Sequence, residues 1–492
     1  MQRHRRFQYR RRVRLRDTTS LCAVCLRSIP AVIERRDRRV VMVKTCPVHG
    51  ASEIVVAHDA DWYERISALP AVTRAPAAPR PVERGCPFDC GPCTQHEQTS
   101  MLPIVPITSA CNLDCPICYT HNKNDGAYHM SEAELRAILG HIRAADPERR
   151  IINLTGGEPT LHPDFARLVE LCHAEGVHRI TISTHGLGLQ KDEALVARLA
   201  ALDARIILSF DSLRDTTNQA MLGATLTDAK LRVLDLLGRH GVATTLLPVI
   251  ARGHNHDELG AFVDLALARD HVRSLELHTM TFTGQGGLGF DPAARMTADE
   301  VLAAIEVQTE GRLRQDDFVP SPAAHPTCYQ VTYLLRIAPD RWLPFARFMS
   351  WDEVRAMLGG MLYLEPGPAV EAALADAIDR LWAGDHALTD ADAALVLAAL
   401  RGLTDTVFAP GLDAAARLRA SERWSKAIYV HAHMDEHSFD SDRIRQCCVG
   451  IREPDGQNVP SCAYNVLYRN RDARFAAAPS PPLVTLGRGR PA

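Results

Sequence analysis

The chain contains no run of eighteen apolar residues, so nothing in it reads as a membrane-spanning helix. Its 56 Lys and Arg against 59 Asp and Glu leave a formal charge of −3, which gives composition no case for nucleic-acid binding. No apolar leader segment follows the basic start, so a secretory signal is not expected and a cytoplasmic location is. No repeat of solenoid period is present. The basic start itself carries Arg3, Arg5, Arg6, Arg10, Arg11, Arg12, Arg14 and Arg16. It reads as a disordered arm over 1–20, with peripheral contact to anionic lipid headgroups as the weaker reading.

What is present is cysteine. Fourteen cysteines in 492 residues are many for a long chain without a secretory leader. A disulfide framework belongs to short secreted chains, so clustered thiols here point to metal ligation. Thirteen fall in compact groups or beside distinctive residues. Cys172 stands alone on an amphipathic segment and reads as a buried core thiol.

The length implies several domains, and the chain divides as follows. Residues 21–69 alternate apolar and polar between two cysteine knuckles, as in a small β-rich rubredoxin- or zinc-ribbon-like module. Residues 70–85, rich in Pro, Ala and Arg, read as an extended linker, and 86–101 as an auxiliary-cluster segment. From 102 to 330, short apolar runs (102–108, 150–155, 178–183, 205–210, 243–250, 273–279) alternate with helix-period segments (131–146, 162–175, 190–202, 227–240, 256–269). That alternation predicts parallel βαβ units and a partial (β/α)6 barrel in the α/β class, with chemistry at the C-terminal strand ends. A helix is expected at 297–311 and a strand pair over 329–346. Residues 331–477 form a C-terminal α+β cluster-binding region, helical over 352–430. The tail 478–492 reads as disordered.

Cys111, Cys115 and Cys118 follow the first candidate strand with CxxxCxxC spacing, and Tyr119 comes next. Three thiolates from one loop hold three irons of a cubane and leave the fourth open. This spacing resembles the radical S-adenosylmethionine (SAM) superfamily, in which SAM chelates the open iron. Gly156, Gly157, Glu158 and Pro159 follow the second strand, and in that superfamily this motif contacts the SAM amino group. Three weaker matches follow. Thr184 lies in a Ser183–Gly186 turn with His185 where the superfamily carries Asn. Ser209 and Asp211 end the fourth strand, where the SAM carboxylate or ribose is met. Gly253 and Asn255 follow the fifth, where adenine is held.

Cys22, Cys25, Cys46 and His49 have the spacing of a four-coordinate Zn or Fe site with a structural role. Cys86, Cys90 and Cys93 repeat the CxxxCxxC spacing ahead of the barrel and read as ligands of an auxiliary [4Fe–4S] cluster whose fourth ligand comes from elsewhere. Cys328, Cys447, Cys448 and Cys462 are available to complete it and to bind a second, with connectivity open.

The combined layout resembles the tetraether synthase family, also described as the pterin methyltransferase-like, multi-cluster radical SAM group. Matching stretches run in order from residue 20 to about 468. The resemblance implies reductive cleavage of SAM to a 5′-deoxyadenosyl radical. It also implies C–C bond formation at unactivated carbons, as in lipid-chain coupling or alkylation. The alternatives are methyl transfer to a pterin-like heterocycle, peptide modification, and a non-catalytic iron–sulfur protein. The expected partners are a small-molecule or lipid substrate and an electron donor such as flavodoxin or ferredoxin.

Overall fold

The computed structural model describes residues 12–475 except 78, 92, 121–126 and 148–150. The expectations for 1–11 and for the tail beyond 475 lie outside the described residues.

Four antiparallel strands open the fold: β1 (Arg12–Leu21), β2 (Ser28–Arg36), β3 (Arg39–Cys46) and β4 (Gly50–Ala57). The expected disordered arm is therefore wrong for 12–20. Those residues pair along β2 from Arg12↔Arg36 to Leu21↔Ser28. Charge masked the strand, and the charge is answered from far along the chain. Arg16 forms ion pairs with Asp440 and Asp442, and Thr18 Oγ1 donates to Asp440 at 2.6 Å.

The four-stranded module does not stand apart. Ile33, Val40, Met42 and Ala57 share one apolar core with the barrel. Buried Lys44 donates to Ser20 Oγ, Leu21 O, Glu436 O and His437 O at 2.7–3.2 Å. Asp299 Oδ2 accepts from the amides of His58 and Asp59, each at 2.7 Å. The linker is extended, as expected, but tied down. Val72 N donates to Pro322 O, and buried Gln98 bridges Val72 O and Ala323 O.

The barrel strands are β5 (Leu102–Thr108), β6 (Ile151–Gly156), β7 (Arg179–Thr184), β8 (Arg205–Ser209), β9 (Thr244–Leu247), β10 (Val249–Ile250) and β11 (Val272–Thr279). All six sequence-derived strands are present. The fifth is split at Pro248, which has no N–H to give the ladder. The intervening helices are bounded by ordinary signals. Ser131 and Glu134 close a reciprocal capping box, and Leu135, Ile138, Leu139 and Ile142 form the buried stripe of Glu132–Ala145. Cys172 is fully buried in Phe165–Ala174, as expected.

The sheet runs past residue 330. To β12 (Val319–Pro320), β13 (Tyr329–Ala338) and β14 (Arg341–Pro344) it adds β15 (Ser425–His431), β16 (Val449–Arg452) and β17 (Asn458–Pro460). The order is β12-β13-β15-β11-β9-β8-β7-β6-β5-β16-β17. β15 is parallel to β11 and β16 is parallel to β5, so the C-terminal region extends both edges of the parallel run. The expectation of helix through 430 fails over 425–431, where a fully buried strand lies. Helices Trp351–Leu358, Pro368–Ala383, Asp390–Val407 and Ala414–Trp424 fill the rest, as expected. Their apolar residues, among them Leu374, Val396 and Leu400, pack on β13 and β15 as a second core. The chain thus forms a partial α/β barrel flanked by a β-ribbon module and a C-terminal α+β region. Among the described residues no helix is long and apolar enough to cross a membrane.

Candidate active site

A cavity of about 300 Å³ opens at the C-terminal ends of the parallel strands. Cys111, Cys115 and Cys118 line it from the loop after β5. Cys118 N closes a turn onto Cys115 O at 2.9 Å, and Ile117 N is held by Met221 O. Burial pushes the Cys111 thiol up to about 11 and Cys115 to about 12. Thiolates at these positions need a strong local positive charge, which cluster iron supplies, so the donor set suits an iron–sulfur cluster.

The Gly156–Pro159 turn packs against the cysteine loop as well as bordering the cavity. A Cβ on Gly156 would stand 2.1 Å from Thr108 O, and one on Gly157 2.2 Å from Ala110 O. These glycines let the backbone press against the strand that leads into the cysteine loop. The Glu158 carboxylate is 1% exposed and bonded within the protein. Oε1 accepts from Thr160 N, Thr160 Oγ1 and Thr184 Oγ1, and Oε2 accepts from His185 N at 2.9 Å. Glu158 therefore staples the turn after β6 to the turn after β7. Both turns line the cavity through Gly156, Gly157, Glu158, Thr184 and His185, whereas Pro159 does not.

His185 stands 2.7 Å from Asn112 Oδ1 through Nε2, and its Nδ1 accepts from Leu187 N at 3.1 Å. Burial lowers its pKa although Glu158 opposes this, and the bonding fits a neutral ring protonated at Nε2. Ser209 and Asp211 also face the cavity. Behind them buried Lys230 donates to Ser209 O at 2.6 Å and Ser209 Oγ at 2.8 Å. Burial pushes Lys230 down and Asp211 up, and each opposes the shift of the other. Lys230 was missed in the sequence, although it interrupts the apolar stripe Leu226, Val233, Leu234, Leu237 at helical spacing. Gly253 and Asn255 do not line the cavity. Asn255 is fully buried and spends its amide on Asp211 O, Val249 O and Ala251 N, bracing the loop beneath.

Two other parts of the site were not read from sequence. A glycine-rich turn after β11 lies on the cysteine loop: Gly286 N donates to Cys118 O at 3.0 Å, and a Cβ on Gly284 (φ +61°) would meet Tyr119 O at 2.3 Å. The far wall carries Glu276, His278, His431 and His433, drawn from β11 and from the end of β15. The signal for these residues is the alternation Glu-Leu-His and His-Ala-His, legible only once the two strands are known to be neighbours.

The remaining cysteines gather in three places. Cys22, Cys25, Cys46 and His49 bring four ligand atoms within 4.8 Å of one another, with Cys22 Sγ 3.4 Å and Cys46 Sγ 3.5 Å from His49 Nδ1. The Cys46 thiol is drawn down to about 6, first by the Val48 amide and then by the amide and the imidazole of His49. Cys86, Cys90 and Cys93 lie near one another. Burial pushes Cys90 well up, and the charges of Cys86, Cys93 and Cys447 add to this. Cys328, Cys447, Cys448 and Cys462 line a small pocket beyond the His431 wall, where Arg443 Nε donates to Cys328 Sγ at 3.3 Å. Cys447 thus stands between the two auxiliary groups.

Comparison with known proteins agrees with this layout. Residues 105–266 match the radical SAM superfamily, and 14–58 match the HMPTM N-terminal zinc ribbon domain. Over 480 residues the chain is 27% identical to 7,8-dihydro-6-hydroxymethylpterin dimethyltransferase of Methanocaldococcus jannaschii, covering 92% of this chain and 94% of that one. It is 32% identical over 177 residues to GTP 3′,8-cyclase of Chlorobaculum tepidum, covering 35% of this chain and 52% of that protein. Among solved structures, Streptococcus suis SuiB bound to its precursor peptide SuiA matches with a TM-score of 0.37 at 17% identity. That match covers 44% of this chain and 46% of that one. The radical SAM domain implies a [4Fe–4S] cluster and SAM, and the ribbon implies a metal at its cysteines. The chain is a radical SAM enzyme with an N-terminal zinc ribbon domain.

Proposed function

We propose that this enzyme transfers methyl groups to carbon on a pterin-like heterocycle, and that Cys111, Cys115 and Cys118 are the ligands of its SAM-binding cluster. The observation that carries the reading is similarity to a pterin dimethyltransferase along nearly the whole of both chains. When bound, the reduced cluster and SAM supply a carbon radical able to take hydrogen from an unactivated carbon.

The chain's own residues do the positioning. The loop after β5 presents the three thiols to the cavity, while Glu158 locks the two neighbouring turns. Asn153 and Ser183, hydrogen-bonded to each other at 3.1 Å, line the cavity wall on β6 and β7. A heterocycle has N–H and C=O edges that can pair with polar wall groups of this kind, which a hydrocarbon chain cannot use. The apolar helices of 351–424 also give no support to lipid coupling, because their apolar faces are spent on the second core. In this reading Cys86, Cys90 and Cys93 hold one auxiliary cluster, whose fourth ligand comes from the neighbouring cysteine group that includes Cys447. Cys328, Cys448 and Cys462 serve a second. A one-electron donor of the flavodoxin or ferredoxin type supplies the reductant.

The test is anaerobic incubation of the reconstituted enzyme with SAM, a reductant, a reduced-folate methylene donor and 7,8-dihydro-6-hydroxymethylpterin. Mass spectrometry is expected to find methylated pterin and deoxyadenosine. Deoxyadenosine without methylated pterin, together with coupled products from an isoprenoid lipid, would overturn the substrate assignment.

A further inference from the structure

We propose that His278, His431 and His433 form a mononuclear site for a divalent first-row metal ion on the wall of the central cavity, beside the Cys328–Cys462 group but not ligated by it. The proposal does not depend on the identity of the substrate.

The strand register builds the site. β11 and β15 are parallel neighbours, and His278 lies directly opposite His431. His433 follows two residues later, and the three imidazoles place ligand nitrogens within 4.8 Å of one another. His433 Nε2 is 3.2 Å from His278 Nδ1. Two nitrogens each about 2.1 Å from a shared tetrahedral ion stand about 3.4 Å apart. Glu276 Oε1 lies 2.9 Å from His278 Nε2 and 3.8 Å from His431 Nδ1. One carboxylate thereby orients the His278 ring, with Nε2–H donating to the acid and the Nδ1 lone pair turned toward His433. Carboxylate–histidine pairs of this kind support metal ligands.

A purely hydrogen-bonded arrangement accounts for only part of this. His433 Nε2–H donating to His278 Nδ1 satisfies those two rings. His431, 7% exposed and stacked on Tyr329 at 3.7 Å, is left with Nδ1 lacking any hydrogen-bond partner. A buried polar nitrogen without a partner is costly and uncommon. A metal ion among the three rings engages all of them, and Glu276 offsets its charge. Three neutral nitrogens with a carboxylate behind them suit Zn²⁺, Fe²⁺, Co²⁺ or Ni²⁺ rather than Mg²⁺ or Ca²⁺. Three protein ligands leave a coordination position open, and these rings face the same cavity as the Cys111–Cys118 loop. An oxygen or nitrogen of a substrate is the group that position would take.

The competing role is that His433 ligates an iron–sulfur cluster, since Cys462 Sγ lies 3.8 Å from its Nδ1. Metal and acid-labile sulfide counts on the full-length reconstituted protein, dialysed anaerobically against Zn²⁺ and separately against Fe²⁺, distinguish the two. Each [4Fe–4S] cluster carries equal iron and sulfide, so metal in excess of sulfide counts mononuclear sites. The wild type is expected to hold about two excess equivalents, one for the ribbon and one for the histidines. His278→Ala and His431→Ala each lose about one with sulfide unchanged, and Cys25→Ser loses the other. His278→Gln, closer in size, guards against misfolding and is expected to behave as His278→Ala. An excess of about one that vanishes in Cys25→Ser and persists in both His278 variants overturns the proposal. So does a fall in sulfide on His433→Ala while His278→Ala changes nothing.

Discussion

The ribbon and the mouth of the barrel both present cysteines from short loops, yet they are built for opposite purposes. In the ribbon two knuckles face each other across a β-sheet, and four donors converge on one point. Nothing remains for a ligand to take, so such a metal holds the fold. At the barrel mouth one loop offers three thiols into a cavity whose walls carry Ser209, Asp211 and Glu276. The count of donors, together with what they face, separates structure from chemistry where spacing alone reads as similar cysteine motifs.

The sharpest way to break that contrast is to remove one donor from each side. Cys118→Ala is expected to abolish deoxyadenosine formation, measured by chromatography under reducing conditions, while the ribbon keeps its metal. Cys25→Ser is expected to do the reverse, losing the ribbon metal while the folded fraction still cleaves SAM. Equal loss of cleavage in both would mean that the ribbon takes part in the chemistry.

The second largest effect is expected at Glu158, which ties together the two turns after β6 and β7. Glu158→Ala leaves three backbone or hydroxyl donors around Oε1 and the His185 amide without their acceptor. A loss of about 3 kcal/mol is expected in a denaturant titration, since buried donors left unpaired cost their desolvation. A variant as stable as the wild type would place the carboxylate in solution and leave it free to meet SAM directly.

Much of this was legible in the sequence, for reasons that are local. The six barrel strands were readable because each is a short apolar run beside a helix with its own period and caps. The cysteine loop and the Gly156–Pro159 turn were readable because their residues are contiguous. What stayed hidden depends on partners distant in the chain. β1 is arginine-rich and reads as an arm until Asp440 and Asp442 arrive to pair Arg16. β15 follows four helices and is itself a buried apolar strand with nothing local to separate it from them. The histidine wall needs β11 and β15 side by side, although about 150 residues lie between them.

The Arg16–Asp440 contact joins the ribbon to the C-terminal region, and its expected effect is smaller and pH-dependent. Burial raises the Asp440 carboxyl, but the Arg16 guanidinium outweighs this and holds it at about 2, below the ordinary 3.8. A carboxyl depressed on folding contributes stability that is present above 3.8 and is lost as pH falls toward 2. The contribution is about 2 kcal/mol. Thermal melts are expected to show Arg16→Gln less stable than wild type at neutral pH and to converge with it near pH 2. Parallel curves across that range would mean that the pair is not formed in solution.

The smallest effect tests where the cavity ends. Gly253 follows β10 with φ +78°, and a Cβ there would meet nothing within 4 Å. Gly253→Ala therefore costs only the backbone penalty of the left-handed region, about 1 kcal/mol. Because neither Gly253 nor Asn255 faces the cavity, the KM for SAM is expected to stay at the wild-type value while the melting temperature falls slightly. A several-fold rise in KM with unchanged kcat would instead assign this loop to the adenine, as its position after the fifth strand suggested. It would also extend the ligand-facing surface past the wall that carries Ser209 and Asp211.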